Sequence, residues 1–503
     1  MLGQDVKRQI QLGALMAIAA ILLIAAGCGG SEPPEEPASA PEPSAEAALL
    51  DAIIGPNAEA DAAIEQILAA GDSRFVAPFI ELLRMHELAW IPRERREPNV
   101  AALRELSGED FGLDWDAWVE WYGTTELQPP PGFTGWKGEL LGRIDDGFAD
   151  FLQEGTPARD RIEEVVWGGV AVDGIPALDQ PILLSSDEAT YLTPEEPVFG
   201  VSLNGESHAY PLRILDWHEL VNSTIGGVPI SLAYCTLCGS GIAYDGRASD
   251  ENTYTFGSSG LLFRSNKLMY DRETRTLWNQ FTGEPSFGPL AGTDVTLERL
   301  PVVLTSWQAW REQHPDTRVL SLETGYVRPY SLGEAYGQYF GSDDTDFPVW
   351  QRRDDLDTKS RVFGLEADGA TKAYPLATLV EEQVVNDALA DEPNVIIAAR
   401  GTVEVWPDGA TYEAGGEVRA YERADHSFVP GTNEDSLTDE NGAAWQVTED
   451  ALVGPDGERL ERLAGHLAYW FGWYAFYPRT EIYEGTSTAR PSTEPARSSA
   501  IAR

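Results

Sequence analysis

The 503-residue chain repeats part of itself, and the repeat constrains its fold more than any other feature. Val198-Phe199-Gly200-Val201 returns as Val362-Phe363-Gly364-Leu365, and Ala209-Tyr210-Pro211-Leu212 as Ala373-Tyr374-Pro375-Leu376. Val221-Asn222 returns as Val385-Asn386, again 164 residues on. At an offset of 163, Leu297-Glu298-Arg299-Leu300 matches Leu460-Glu461-Arg462-Leu463, and Trp307, Trp310, Pro315 and Thr317 match Trp470, Trp473, Pro478 and Thr480. An offset held from one end of a segment to the other implies two copies of one supersecondary unit. Each copy reads as a hairpin turning at Asn204-Gly205 or Asp368-Gly369, then a helix opened by proline, a buried strand, polar loops and strands, and a closing tryptophan-rich helix. The expected fold is therefore α+β: a β-rich, duplicated, two-lobed body, mainly antiparallel. Its first lobe would span 160–340 and its second 341–485, with a cleft between them.

A small all-α module of helical-repeat type is expected ahead of this body, over 47–126. Leu49, Leu50, Ile53 and Ile54 recur at helical spacing and stop at Gly55-Pro56, and Ile64, Ile67 and Leu68 repeat the pattern up to Gly71. Asp72 or Ser73 can cap a third helix whose stripe is Phe75, Val76, Phe79, Ile80 and Leu83. Trp115, Trp118, Trp121 and Tyr122 form the packing end of the module.

The chain opens with Lys7 and Arg8, an apolar run from Ile10 to Ala26, and Ala25-Ala26-Gly27-Cys28. This resembles a bacterial lipoprotein signal over 1–27, which implies lipid on Cys28 and an extracytoplasmic, membrane-anchored protein. The Gly/Ser/Pro/Glu-rich stretch 28–46 reads as a disordered tether and 486–503 as a disordered tail. A formal charge of −46 repels polyanions, so nucleic-acid partners are set aside.

Beyond Cys28 the chain has only two cysteines, in Cys235-Thr236-Leu237-Cys238. Two residues between cysteines let the sulfurs meet in one turn, as a dithiol/disulfide couple or as part of a soft-metal site such as copper. Structural zinc wants four ligands, and no second ligand pair follows. His218, in Asp216-Trp217-His218-Glu219 just upstream, is the candidate base, or the third ligand with Cys235 and Cys238 in the metal alternative. The 164 offset sets Ala399 and Thr402 opposite the cysteines and Glu382 opposite His218, so one lobe carries the chemistry and the other supports it. Tyr234, Ser240, Arg264, Asn266, Asp271, Arg272 and Trp278 suit a polar pocket wall beside the pair. The thiol reading requires an accessible pair with an unknown redox partner or small-molecule ligand and no cofactor. Without exchange chemistry the same lobes would be a non-catalytic ligand-binding scaffold.

The run Tyr234-Cys235-Thr236-Leu237-Cys238-Gly239-Ser240-Gly241 lies between Trp217-His218-Glu219-Leu220-Val221-Asn222 and Ser265-Asn266-Lys267-Leu268-Met269-Tyr270-Asp271-Arg272. Together these segments resemble the DUF3179 family of exported bacterial and archaeal proteins, over roughly residues 165–485. Typical members have proline where Thr236 stands. Selenocysteine in the motif of some members implies redox chemistry at the corresponding position here, while threonine at the second cysteine in others argues against an obligatory disulfide.

Overall fold

The computed structural model describes residues 44–398, 402–405 and 412–486; the signal segment, Cys28, most of the tether, Ala399 and the tail from 487 lie outside them. Among the described residues no helix is long and apolar enough to cross a membrane.

The N-terminal part is helical, as the periodicity predicts. Ser44 caps Ala45–Ile54 by accepting from the Ala47 N–H, and Gly71 at φ +60° ends Asn57–Ala70 in the left-handed conformation that glycine tolerates. The helices do not stop at 126: Phe133–Gly142 and Asp146–Phe151 continue them. Nor is the module separate. Its core of Phe79, Leu83, Trp118, Trp136 and Phe148 is continuous with Val165, Leu261, Phe263, Tyr270 and Trp350 of the body. These helices present an apolar face that the neighbouring sheet covers.

The duplication is explicit in the strands. In the first lobe Pro197–Leu203 pairs with Glu206–Pro211, setting Phe199 opposite Tyr210, and Arg318–Leu320 runs parallel to the latter. In the second, Arg361–Ala367 pairs with Ala370–Pro375, setting Phe363 opposite Tyr374, and Glu481–Ile482 runs parallel in the same place. A Cβ on Gly200 would stand 2.3 Å from the Trp310 ring, and one on Gly364 would stand 2.0 Å from Trp473. Each indole N–H donates 2.9 Å to the matching threonine hydroxyl, Thr317 or Thr480. The glycines recur because a buried tryptophan lies flat on each hairpin.

The two lobes do not face each other across an open cleft. They share one apolar core, in which Phe199, Tyr210 and Leu232 meet Phe363, Tyr374 and Ile396. A cleft of about 980 Å³ survives at one side, lined by Arg299, Glu366 and Tyr477, none of them near the cysteine motif in sequence.

Candidate functional site

The strand Val228–Cys235 pairs antiparallel with Ser240–Ala248, and Cys235 opposite Ser240 is its last pair. Thr236 to Gly239 form the connecting turn: the Cys238 N–H donates to the Cys235 carbonyl at 3.2 Å and the Gly239 N–H to that of Thr236 at 3.3 Å. Gly239 takes φ +61°, and the Tyr469 ring and Arg361 Nη1 stand 3.2 and 3.3 Å from where its Cβ would be. This tight turn carries both cysteines as free thiols, each influencing the ionisation of the other.

A second hairpin wraps them. Phe256–Phe263 and Asn266–Asp271 are joined by Arg264 and Ser265, both left-handed at φ +50° and +63°. Two positive φ angles define a turn that normally selects Asn-Gly, so the backbone here is held against local preference. The turn aims main-chain groups at the sulfurs. The Ser265 carbonyl accepts the Cys238 thiol at 3.3 Å, and the Lys267 N–H donates to Cys235. Burial raises the Cys235 thiol, but hydrogen bonds from Cys238 and from the N–H groups of Lys267 and Cys238 outweigh it and hold Cys235 below the ordinary thiol range. Burial and the neighbouring Cys235 push Cys238 well up. The pair is asymmetric, with Cys235 the favoured thiolate.

The sulfurs are not accessible, contrary to the expectation from sequence. Cys235 is 2 % and Cys238 0 % exposed. The stretch 336–340 and the second lobe cover them: Tyr339 donates 2.6 Å to the Leu237 carbonyl, Tyr336 interacts with Thr236, and Tyr469 of the second lobe donates its N–H 2.7 Å to the Cys238 carbonyl. Covering a polar turn needs these partners, since each buried backbone group must be satisfied.

His218 is not the base beside the sulfurs. Its Nδ1 engages the Pro176 carbonyl at 2.8 Å and its Nε2 the Tyr330 hydroxyl at 2.6 Å, and burial lowers its pKa. The next residue takes the position. Glu219 caps the helix Leu212–His218 at φ +56°, which turns the chain so that its carbonyl accepts from the Tyr234 N–H and its carboxylate pairs with Lys267 Nζ at 3.0 Å. Thr236 Oγ1 donates to the same carboxylate at 3.4 Å. Asp216, buried with Oδ1 unpartnered, is held well above the usual carboxylate range by burial and by Glu219. Glu219, Lys267 and Asp216 carry no motif of their own in sequence, yet the offset could have found two of them: Gln383 and Val380 stand opposite Glu219 and Asp216 in the second lobe.

Of the expected pocket wall, Ser240 and Asn266 adjoin the pair. Ser240 donates to Gln280 at 3.2 Å, and both amide atoms of the buried Asn266 lack partners. Tyr234 packs its ring against Phe199 in the shared core. Arg264 ties Glu164 to the Ala475 carbonyl, and Arg272 pairs with Asp179 at 2.5 Å. Asp271 and Trp278 are scaffold. Asp271 accepts the Trp278 indole N–H at 2.8 Å, and Asp439 accepts that of Trp445 at 3.1 Å in the second lobe. Insertions between the copies hide that repeat from a fixed offset. Among the described residues no three His, Cys, Asp or Glu side chains converge as a metal site.

Comparison of the chain with curated proteins and with solved structures returns no match. Residues 172–480, which hold the whole cysteine site and both copies of the repeat, match the family described as "Protein of unknown function (DUF3179)", so the chain belongs to the DUF3179 family.

Proposed function

We propose that the first lobe is a thiol redox module in which Cys235 and Cys238 alternate between dithiol and disulfide, within an exported protein tethered by lipid on Cys28. The observation that carries this reading is the turn itself: two free thiols three residues apart on one tight turn, with the neighbouring thiol and two backbone N–H groups favouring Cys235 as the thiolate. The Cys235 thiolate attacks one sulfur of a partner disulfide, whose S–S bond breaks to release one partner thiolate. Cys238, losing its proton, then attacks the Cys235 sulfur of the mixed disulfide and releases the second. Two electrons pass to the partner and two protons follow. Asp216, whose pKa burial raises, and the Glu219–Lys267 pair suit the proton transfers, being buried, polar and peculiar to this lobe. Exchange with any macromolecular partner requires the Tyr336–Tyr339 cover to lift.

The soft-metal alternative would need a third ligand, and His218 has both ring nitrogens engaged elsewhere. Differential alkylation with mass spectrometry tests the redox reading: both cysteines should label after reduction and neither after mild oxidation. Thiols that label identically in both states overturn it. Globomycin treatment of an expressing Gram-negative host tests the anchor, through accumulation of the unprocessed precursor.

A further inference from the structure

The two copies differ at one edge. In the first lobe the sheet carries a fifth strand, Leu183–Ser185, antiparallel to Arg318–Leu320 with Val319 opposite Leu184. In the second the equivalent sheet has four strands and ends at Glu481–Ile482. Tyr483 donates its N–H to the Ala373 carbonyl at 2.9 Å, so by strand alternation the N–H and C=O of Ile482 point outward, as those of Val319 point to Leu184. The segment that the offset sets opposite Leu183–Ser185 is Phe347–Val349, and it is engaged elsewhere. The Pro348 carbonyl accepts from Ser265 Oγ at 2.5 Å and the Val349 N–H donates to Glu120 at 3.3 Å. The strand that would close the second sheet has been drawn onto the cysteine cover.

What remains is a cleft of about 1490 Å³ lined by Ile482 and Tyr483 together with Phe340, Leu356, Lys359 and Tyr469. We propose that this edge binds an extended, uncharged, leucine- or isoleucine-bearing segment of a partner protein, which adds as the missing fifth strand. The first lobe's own Ile182-Leu183-Leu184-Ser185 is the template for the occupant. A second copy of the chain is the alternative occupant that the test below separates. The tail 487–503 is a poor strand, with Pro491, Pro495 and one large apolar residue, Ile501. This inference is independent of the sulfur chemistry, although Tyr469 and Arg361, which line the same cleft, touch Gly239 of the cysteine turn.

The test uses the mature chain and a fluorescein-labelled, C-terminally amidated peptide of residues 180–186, Gln-Pro-Ile-Leu-Leu-Ser-Ser, followed by fluorescence anisotropy. Saturable binding is expected, weakened about tenfold when the peptide is N-methylated at the position of Leu184, which removes one main-chain donor and crowds the ladder. Ile482→Pro should weaken it similarly while leaving the circular dichroism unchanged. No binding up to millimolar peptide, or equal binding of the methylated peptide, overturns the proposal. Binding that appears only after truncation at Thr486 assigns the edge to the tail and overturns it too. So does a concentration-dependent dimer that the peptide dissociates.

Discussion

Replacing Tyr339 with phenylalanine isolates the step that exposes the sulfurs. The hydroxyl makes one contact over the turn, 2.6 Å to the Leu237 carbonyl, while the ring keeps its edge-to-face contact with Tyr469 and its place beneath Lys359 Nζ, 3.7 Å from the centroid. Phenylalanine removes the hydrogen bond and leaves the ring. One such bond contributes about 1 kcal/mol net, and the half-buried carbonyl recovers part of that from water on opening. The population with the cover lifted should therefore rise about 5-fold. When reclosing outpaces chemistry, the alkylation rate is the intrinsic thiolate rate scaled by that population, so it rises by the same factor. The assay is iodoacetamide labelling of reduced protein, timed by quenching and peptide mass spectrometry, with Tyr374→Phe in the second lobe as control. An unchanged rate in Tyr339→Phe, or wild-type labelling as fast as a free cysteine, would refute the idea that this segment governs access.

Other outcomes follow from the same geometry. Cys235 should label with an inflection below the ordinary thiol pKa of about 8.5 and Cys238 above it, so lowering the pH suppresses Cys238 first; the reverse order would remove the assigned asymmetry. Glu219→Gln strands the Lys267 cation among buried groups and should cost about 3–5 kcal/mol in urea melts. It also removes a repulsive charge, so the Cys235 inflection should move down in pH. His218→Gln should leave the labelling rates within about twofold of wild type after correction for stability, because His218 makes no hydrogen bond to either thiol among the described residues. Gly200→Ala and Gly364→Ala should each destabilise by about 1–3 kcal/mol or more, since both drive a Cβ into a tryptophan ring.

Two patterns made much of this legible in the sequence. Repetition at a constant offset of 164 picked out the two hairpins and the prolines that open their helices, and the offset of 163 picked out the tryptophans that pack on the hairpin glycines. The Cys235–Cys238 spacing placed the thiols at a strand end with Gly239 behind them. The surroundings were harder to read, since they come from chain segments distant in sequence. Tyr336 and Tyr339 lie at the end of the first lobe, beside and within the four-residue helix Gly337–Phe340, too short to show a periodicity. Glu219 looks like any acidic residue in a chain with 82 of them, until its left-handed cap turns it inward toward Lys267. His218 attracted attention as an imidazole upstream of the thiols, but the helix phase directs it to Pro176 and Tyr330. Asp271 and Trp278 looked chemical because insertions mask their repetition as Asp439 and Trp445.

The most direct measurement equilibrates the mature protein in glutathione buffers of graded potential, traps it with acid and weighs the peptide that carries Cys235 and Cys238. A reversible loss of two hydrogens along one two-electron Nernst curve is the predicted result. A peptide that keeps both hydrogens at every potential, in wild type and in Tyr339→Phe alike, would contradict the account.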